Sequence, residues 1–328
     1  MTDPRFYEWF FSISDEIHDR GIPICYYHVW DCEPIPHFNK PMYDCCDHIG
    51  CISKLTHRIV QEVSGPNMCS YIPHGTDLDV YKPFSDEEII KRKKETFNGD
   101  GREKRFVIFY NSRNARRKMT NTVVEAYAEF ARKVGKENVY LLMKTSPHDP
   151  EGSNLFEVAR VCGIGPDQIS FAEEACPNEQ MAVFYNIADV TINISNNEGF
   201  GLSVLESLAC GTPVIINKTG GLPDQALTDE GEELGVVLEP KTRTMTGSQQ
   251  IPYIYDDRNS VEQVVEAFVK LYEAGSEKRK EIGKKARTWV EKKFDKKFMC
   301  ESWQKIIEEQ IELYRKVANT TRIKFGRI

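Results

Sequence analysis

Two carboxylates, Glu198 and Glu206, stand around a Gly-Phe-Gly in the stretch ISNNEGFGLSVLESLACGTPVIINKTGG, residues 194–221. A carboxylate is a strong acceptor for paired hydroxyls such as those of a ribose or a hexose. Gly199 and Gly201 let the backbone turn sharply and come close to a ligand. The helical run that opens near Leu202 would point unpaired N–H groups and its positive dipole end at an anion. A second cluster, NSRNARRKM, places Arg113, Arg116, Arg117 and Lys118 after another apolar run. A guanidinium fork and a compact ammonium complement a diphosphate without a divalent metal. Taken blandly, Glu198 and Glu206 are solvated charges and the basic run is a solvated turn. Cations at a helix start oppose its dipole by about 0.3–1 kcal/mol each, which counts against that reading of the basic run. Together the two clusters ask for a ligand with phosphate in the middle and sugars at both ends, a nucleotide sugar.

These residues need a scaffold that brings distant turns together. From Phe106 onward, short apolar runs alternate with longer helical patterns. FVIFYN (106–111), VYLLMK (139–144), QISFAE (168–173), DVTINIS (189–195) and PVIIN (213–217) read as strands. Between the first two, Val123, Val124, Tyr127, Phe130 and Val134 recur at helical spacing. Strands that are apolar throughout and separated by helices imply a parallel sheet covered on both faces. Ligands of such sheets bind beyond the carboxyl ends of the strands, where both clusters lie. Ser85 with Glu88 and Ser260 with Gln263 read as capping boxes.

The first 75 residues repeat the alternation on a smaller scale. Residues 6–20 read as helical, IPICYYHVW (22–30) and HIGCIS (48–53) as strands, KLTHRIVQEV as a helix, and residues 68–72 as a last strand. The expected organisation is a partial Rossmann-like domain over 1–84, joined by the C-terminal helix of about 296–328. A linker helix over 85–104 leads to a second Rossmann-like domain over 105–295, which carries both clusters. Glu239–Asp257 is a long connection, read either as a segment that shapes substrate choice or as disorder.

Composition narrows the classes. The 328 residues carry a formal net charge of −7, which argues against a duplex nucleic-acid binder. No apolar run approaches the length of a membrane span, and the opening MTDPRFYEWF is not patterned as a signal peptide. The first 74 residues hold six of the ten cysteines and six of the seven histidines, yet the spacings fit no metal-ligand template. Reduced thiols in a cytoplasmic protein is the expectation, with no metal.

The stretch from Ile169 to Gly221 resembles the donor half of retaining GT-B glycosyltransferases of family four. There a Glu, seven residues and a second Glu surround a Gly-Phe-Gly, followed by Ala-Cys-Gly-Thr-Pro-Val and a Gly-Gly. The likeness runs over about 105–235. More weakly it covers Tyr26 to Pro83, where YYHVWD, HIGCIS and IPHGTDLDVYKP look like the end of an acceptor-side domain. The resemblance implies an α/β, GT-B-like fold, two Rossmann-type domains facing a cleft, with the N-terminal one incomplete. It implies a metal-independent hexosyltransferase-type enzyme that takes a UDP-, GDP- or ADP-linked sugar as co-substrate. The sugar passes with retained configuration to a hydroxyl of a carbohydrate, lipid-linked or protein acceptor.

Residue by residue, Glu206 would hold the ribose hydroxyls and Glu198 the transferred sugar. The backbone at Phe200, Gly201 and Leu202, with Gly199, would bind phosphate and sugar hydroxyls. Arg113 and Lys118 would clamp the diphosphate. Ser112, where the family usually has glycine, joins the donor-binding set, and Phe171–Glu174 would lie near the base. Glu198 can also be read as a nucleophile of the two-carboxylate type; a positioning role is preferred. His28 would hydrogen-bond the sugar or accept a proton, or else is a strand-end histidine satisfied by backbone. Family members carry a longer first domain. That departure leaves a non-catalytic nucleotide-sugar binder, or a subunit whose acceptor domain is completed by another chain, as the second reading, and a sugar-nucleotide epimerase as a weaker third.

Overall fold

Runs with no polar alternation become strands buried on both faces, and the chain has two sets of them. The structure, a computed structural model, describes residues 3–325, with side chains through residue 316. The chain parts into two compact units: residues through Gly75, Met245–Tyr255 and from Lys296 onward in one, Thr76–Thr244 and Asp256–Asp295 in the other. The first unit's opening stretch thus ends at Gly75. The helix expected as a linker, Asp86–Thr96, groups with the second unit, where it packs on the helix Asn178–Ile187. Ser85 caps its start by accepting from the Glu88 N–H at 3.2 Å, but Glu88 turns its carboxylate to Arg92 instead of closing the box. At Ser260 both halves of the box with Gln263 form.

In the first unit, β1 (Cys25–His28), β2 (His48–Cys51) and β3 (Cys69–Tyr71) make a parallel three-stranded sheet in that order. Its core gathers Phe11, Ile24, Tyr26, Trp30, Tyr43, Ile49 and Ile59. The helix expected over 6–20 is broken into Pro4–Tyr7, Glu8–Phe11 and Ser14–Asp19. At the break, the Ser12 hydroxyl bonds the Trp9 carbonyl at 2.8 Å and so competes with the helical ladder. The final helix, Lys296–Phe325, sets Trp303 against β2 at Gly50, where a Cβ would fall 2.3 Å from its ring. The expected extension to residue 328 lies outside the described residues.

In the second unit, β4 (Phe106–Asn111), β5 (Val139–Lys144), β6 (Ile169–Phe171), β7 (Val190–Asn193), β8 (Val214–Asn217) and β9 (Gly235–Leu238) form one parallel sheet. The order is β6-β5-β4-β7-β8-β9, so β5 and β6 extend one way from β4 while the chain crosses back to lay β7 on its other side. The core on these strands is fully closed to solvent at Ile108, Val123, Phe130, Leu141, Val190 and Ile215. Within the long connection over 239–257, β10 (Thr242–Thr246) and β11 (Ile254–Arg258) pair as a two-stranded ribbon.

Candidate functional site

In an open parallel sheet the crevice lies where the strand order reverses, outside the carboxyl ends of the two strands that flank the switch. Here those strands are β4 and β7. The chain leaving β4 is Ser112–Lys118 and the chain leaving β7 is Ile194–Gly201. The topology therefore sets the two sequence clusters side by side.

Backbone and side chain join them. The Asn196 N–H donates to the Arg117 carbonyl at 2.8 Å, and Arg117 Nη1 donates to the Asn197 carbonyl at 2.8 Å. Lys118 Nζ contacts Glu198 Oε2 directly, and Arg117 Nη1 stands 3.9 Å from the same oxygen. Ser195 Oγ lies 3.3 Å from it. The Lys118 and Glu198 side chains are only 11% and 13% exposed, so the pair is largely shielded from solvent.

Helix Leu202–Ala209 begins at Gly201, whose φ of 91° and ψ of 69° lie in left-handed space that glycine adopts without strain. A Cβ at Gly201 would also meet Leu222 at 2.5 Å. Phe200 is buried and its carbonyl accepts from Gln225 Nε2, while Leu202 is 45% exposed at the helix start. Gly220 lets the following turn come close: a Cβ there would fall 2.0 Å from the Glu198 carbonyl oxygen. The Gly221 N–H then donates to that same oxygen at 2.9 Å.

Glu206 lies one turn inside this helix, half-buried, and accepts from the Tyr185 hydroxyl at 2.6 Å. Tyr81 is a second hydroxyl partner. Desolvation raises the Glu206 pKa above the ordinary carboxylate value, against the pull of the two hydroxyls. Asn111, the last residue of β4, donates to the Tyr185 hydroxyl at 2.8 Å and locks this chain of polar groups. Nothing in sequence spacing pairs Tyr185 or Tyr81 with Glu206; the packing of Asn178–Ile187 beside Leu202–Ala209 brings Tyr185 there.

Two expected site residues sit elsewhere. Arg113 is turned to the loop after β5, with Nε and Nη2 bidentate on Asp149 at 2.7 and 3.0 Å and Glu151 at 3.6 Å. Asp149 is 12% exposed and already ordered by the Glu151 N–H, so it is the nearest fixed anion. The cation beside Glu198 with Lys118 is Arg117, not Arg113. His28 is fully buried in the first unit, with Nε2 2.5 Å from the Tyr43 hydroxyl and its ring against Tyr26 and Tyr43. The alternation of β1 turns His28 to the same buried side as Tyr26. Desolvation pushes its pKa down to about 3, so at neutral pH it is an uncharged core residue rather than a group presented to ligand. Ser112 is half-buried beside Tyr110, to which it hydrogen-bonds. Among the described residues no group of three or more His, Cys, Asp or Glu is arranged to hold a metal, and no helix is long and apolar enough to cross a membrane.

Comparison with known proteins adds three findings. Residues 91–289, more than half of the chain, match the family described as Glycosyl transferases group 1. The D-inositol 3-phosphate glycosyltransferase of Corynebacterium jeikeium is 29% identical over 171 residues, 51% of this chain and 39% of that protein. The chain therefore spans well under two thirds of the curated relatives it matches. Among solved structures, Anabaena HepE in complex with UDP and glucose aligns with a TM-score of 0.69 at 15% identity, over 90% of this chain and 74% of that one. Sucrose-phosphate synthase from Thermosynechococcus elongatus aligns at 0.62 with 23% identity, over 86% and 61%. These likenesses establish a GT-B-like α/β fold with parallel sheets of three and six strands.

Proposed function

The chain belongs to the Glycosyl transferases group 1 family, and on that premise we propose that it moves a sugar from a nucleotide-sugar donor to an acceptor hydroxyl with retained configuration. The observation that carries the reading is the meeting of the Ser112–Lys118 and Ile194–Gly201 segments at the switch point between β4 and β7. There a helix start, two cations and a carboxylate share one edge of the sheet.

Breaking the bond between sugar and diphosphate leaves negative charge on the departing oxygens. Lys118, Arg117 and the first N–H groups of the helix Leu202–Ala209 are in place before that charge appears, so they stabilise the transition state more than the bound donor. Lys118 exchanges Glu198 for a phosphate oxygen, which frees Glu198 to accept from hydroxyls of the transferred sugar. Glu206, preset by Tyr185 and Tyr81, takes the ribose hydroxyls. Arg113 joins the diphosphate by leaving Asp149, a rotation open to a side chain that is 57% exposed. The base pocket near Phe171–Glu174, the sugar and the acceptor are set by loops outside this core. No metal enters the scheme.

A thermal-shift and transfer screen of UDP-, GDP- and ADP-sugars tests the reading, with UDP-sugars first because a structural relative binds UDP and glucose. A donor at about 100 times its Kd should stabilise the second unit by ~2.7 kcal/mol. Glu206→Ala is expected to abolish that shift, whereas Glu198→Ala retains nucleotide binding and loses transfer. Wild-type protein that neither binds nor turns over any member of the panel would overturn the assignment.

A further inference from the structure

The long connection after β9 ends in β11, and β11 grips the loop that carries Glu198. The Asp257 carboxylate is buried, 5% exposed, and is charge-paired with Arg243 of β10: Nε to Oδ1 at 2.6 Å and Nη2 to Oδ2 at 3.0 Å. Thr219 Oγ1 lies 2.9 Å from Oδ2 and 3.2 Å from the Asn196 carbonyl. The Asp257 N–H donates to the Asn196 carbonyl at 3.2 Å, and its own carbonyl accepts from Asn217 Nδ2 at 2.8 Å. The same Asn217 amide donates to the Ser195 carbonyl at 2.9 Å. Next door, Asp256 Oδ1 accepts from Asn197 Nδ2 at 3.1 Å. Ser195, Asn196 and Asn197, the three residues before Glu198, are therefore all tied to β11 directly or through Asn217 and Thr219.

Arg243 itself is 46% exposed, and an ion pair with one partner in solvent adds little to stability. What such a pair does supply is a fixed geometry, and a displacement of about 1 Å at a reacting centre is enough to cost on the order of a hundredfold in rate. We infer that Asp257, held by Arg243, is a positioning residue for the Ser195–Glu198 loop, so that the β10–β11 ribbon sets where the sugar-binding carboxylate stands. The inference rests on the role given to Glu198 under the proposed function.

The test uses the full chain with Asp257→Asn, Arg243→Gln and Arg243→Lys. Hydrogen–deuterium exchange of the 195–198 amides is expected to speed up about tenfold or more in Asp257→Asn and Arg243→Gln while β5 stays protected. The kcat for sugar transfer should fall by about ten- to a hundredfold with the Kd for nucleoside diphosphate changed less than about twofold, and Arg243→Lys should recover most of the rate. Unchanged exchange at 195–198 overturns the inference whether or not the protein transfers sugar. So does unchanged kcat in a wild type that is active, or a parallel loss of kcat, nucleotide affinity and protection at β5, which marks mere unfolding. A wild type inert toward every donor sinks the proposed function, while the exchange measurement still decides the positioning.

Discussion

His28 offers the sharpest check on how sequence and structure divide, because a core histidine makes stability fall with acid and a solvated one does not. In the folded first unit, desolvation holds its pKa down at about 3, whereas the unfolded side chain titrates near 6.5. Between those values the unfolded chain binds the extra proton, so stability is present above pH 6.5 and is lost as pH falls toward 3. At about 1.36 kcal/mol per pH unit the loss is ~2 kcal/mol at pH 5 and approaches ~5 kcal/mol at pH 3. Burial also lowers the pKa of His48 and His74, so the comparison must isolate His28. Replacing Trp289, which lies in the second unit, with Phe leaves Trp9, Trp30 and Trp303 to report on the first unit alone. Urea unfolding followed by tryptophan fluorescence at pH 7.5 and pH 5, with and without His28→Leu, gives the difference. The histidine protein should lose about 2 kcal/mol more than the leucine variant between the two pH values. Losses equal to within ~0.5 kcal/mol would refute the buried, neutral assignment and return His28 to a solvated setting.

Other consequences are open to measurement. Lys118→Met should reduce transfer by about a hundred- to a thousandfold, the usual effect of deleting one preorganised charge stabiliser, and by far more than Arg113→Met, whose partner in the free protein is Asp149. Equal losses in steady-state kinetics would return Arg113 to a full share of the clamp. Gly220→Ala combines a φ of 55° with a Cβ 2.0 Å from the Glu198 carbonyl oxygen, so a stability loss of at least ~2 kcal/mol by calorimetry is expected, with donor binding lost alongside.

Much of the fold is written locally. FVIFYN and VYLLMK are strands over the residues their apolar runs mark, Phe106–Asn111 and Val139–Lys144, because a strand covered on both faces has no reason to alternate. The break in residues 6–20 was hidden, since it depends on a serine hydroxyl turning to the Trp9 carbonyl rather than on any change in apolar spacing. The ribbon at 242–258 was hidden for a related reason: polar strands carry little periodic signal and are fixed by partners distant in sequence, such as Asp257 with Thr219 and Asn196.

Residue chemistry alone determined that this chain has carboxylates, glycines and cations suited to a nucleotide sugar, and that they sit at strand ends. Which of them meet was decided by the tertiary fold. The crossover that lays β7 beside β4 brings Lys118 and Arg117 to Glu198, while the loop after β5 captures Arg113 and the pleat of β1 turns His28 inward. Side-chain direction and partner choice are properties of the packed chain, since a charge goes to the nearest fixed opposite charge and a strand residue to the face its register gives it.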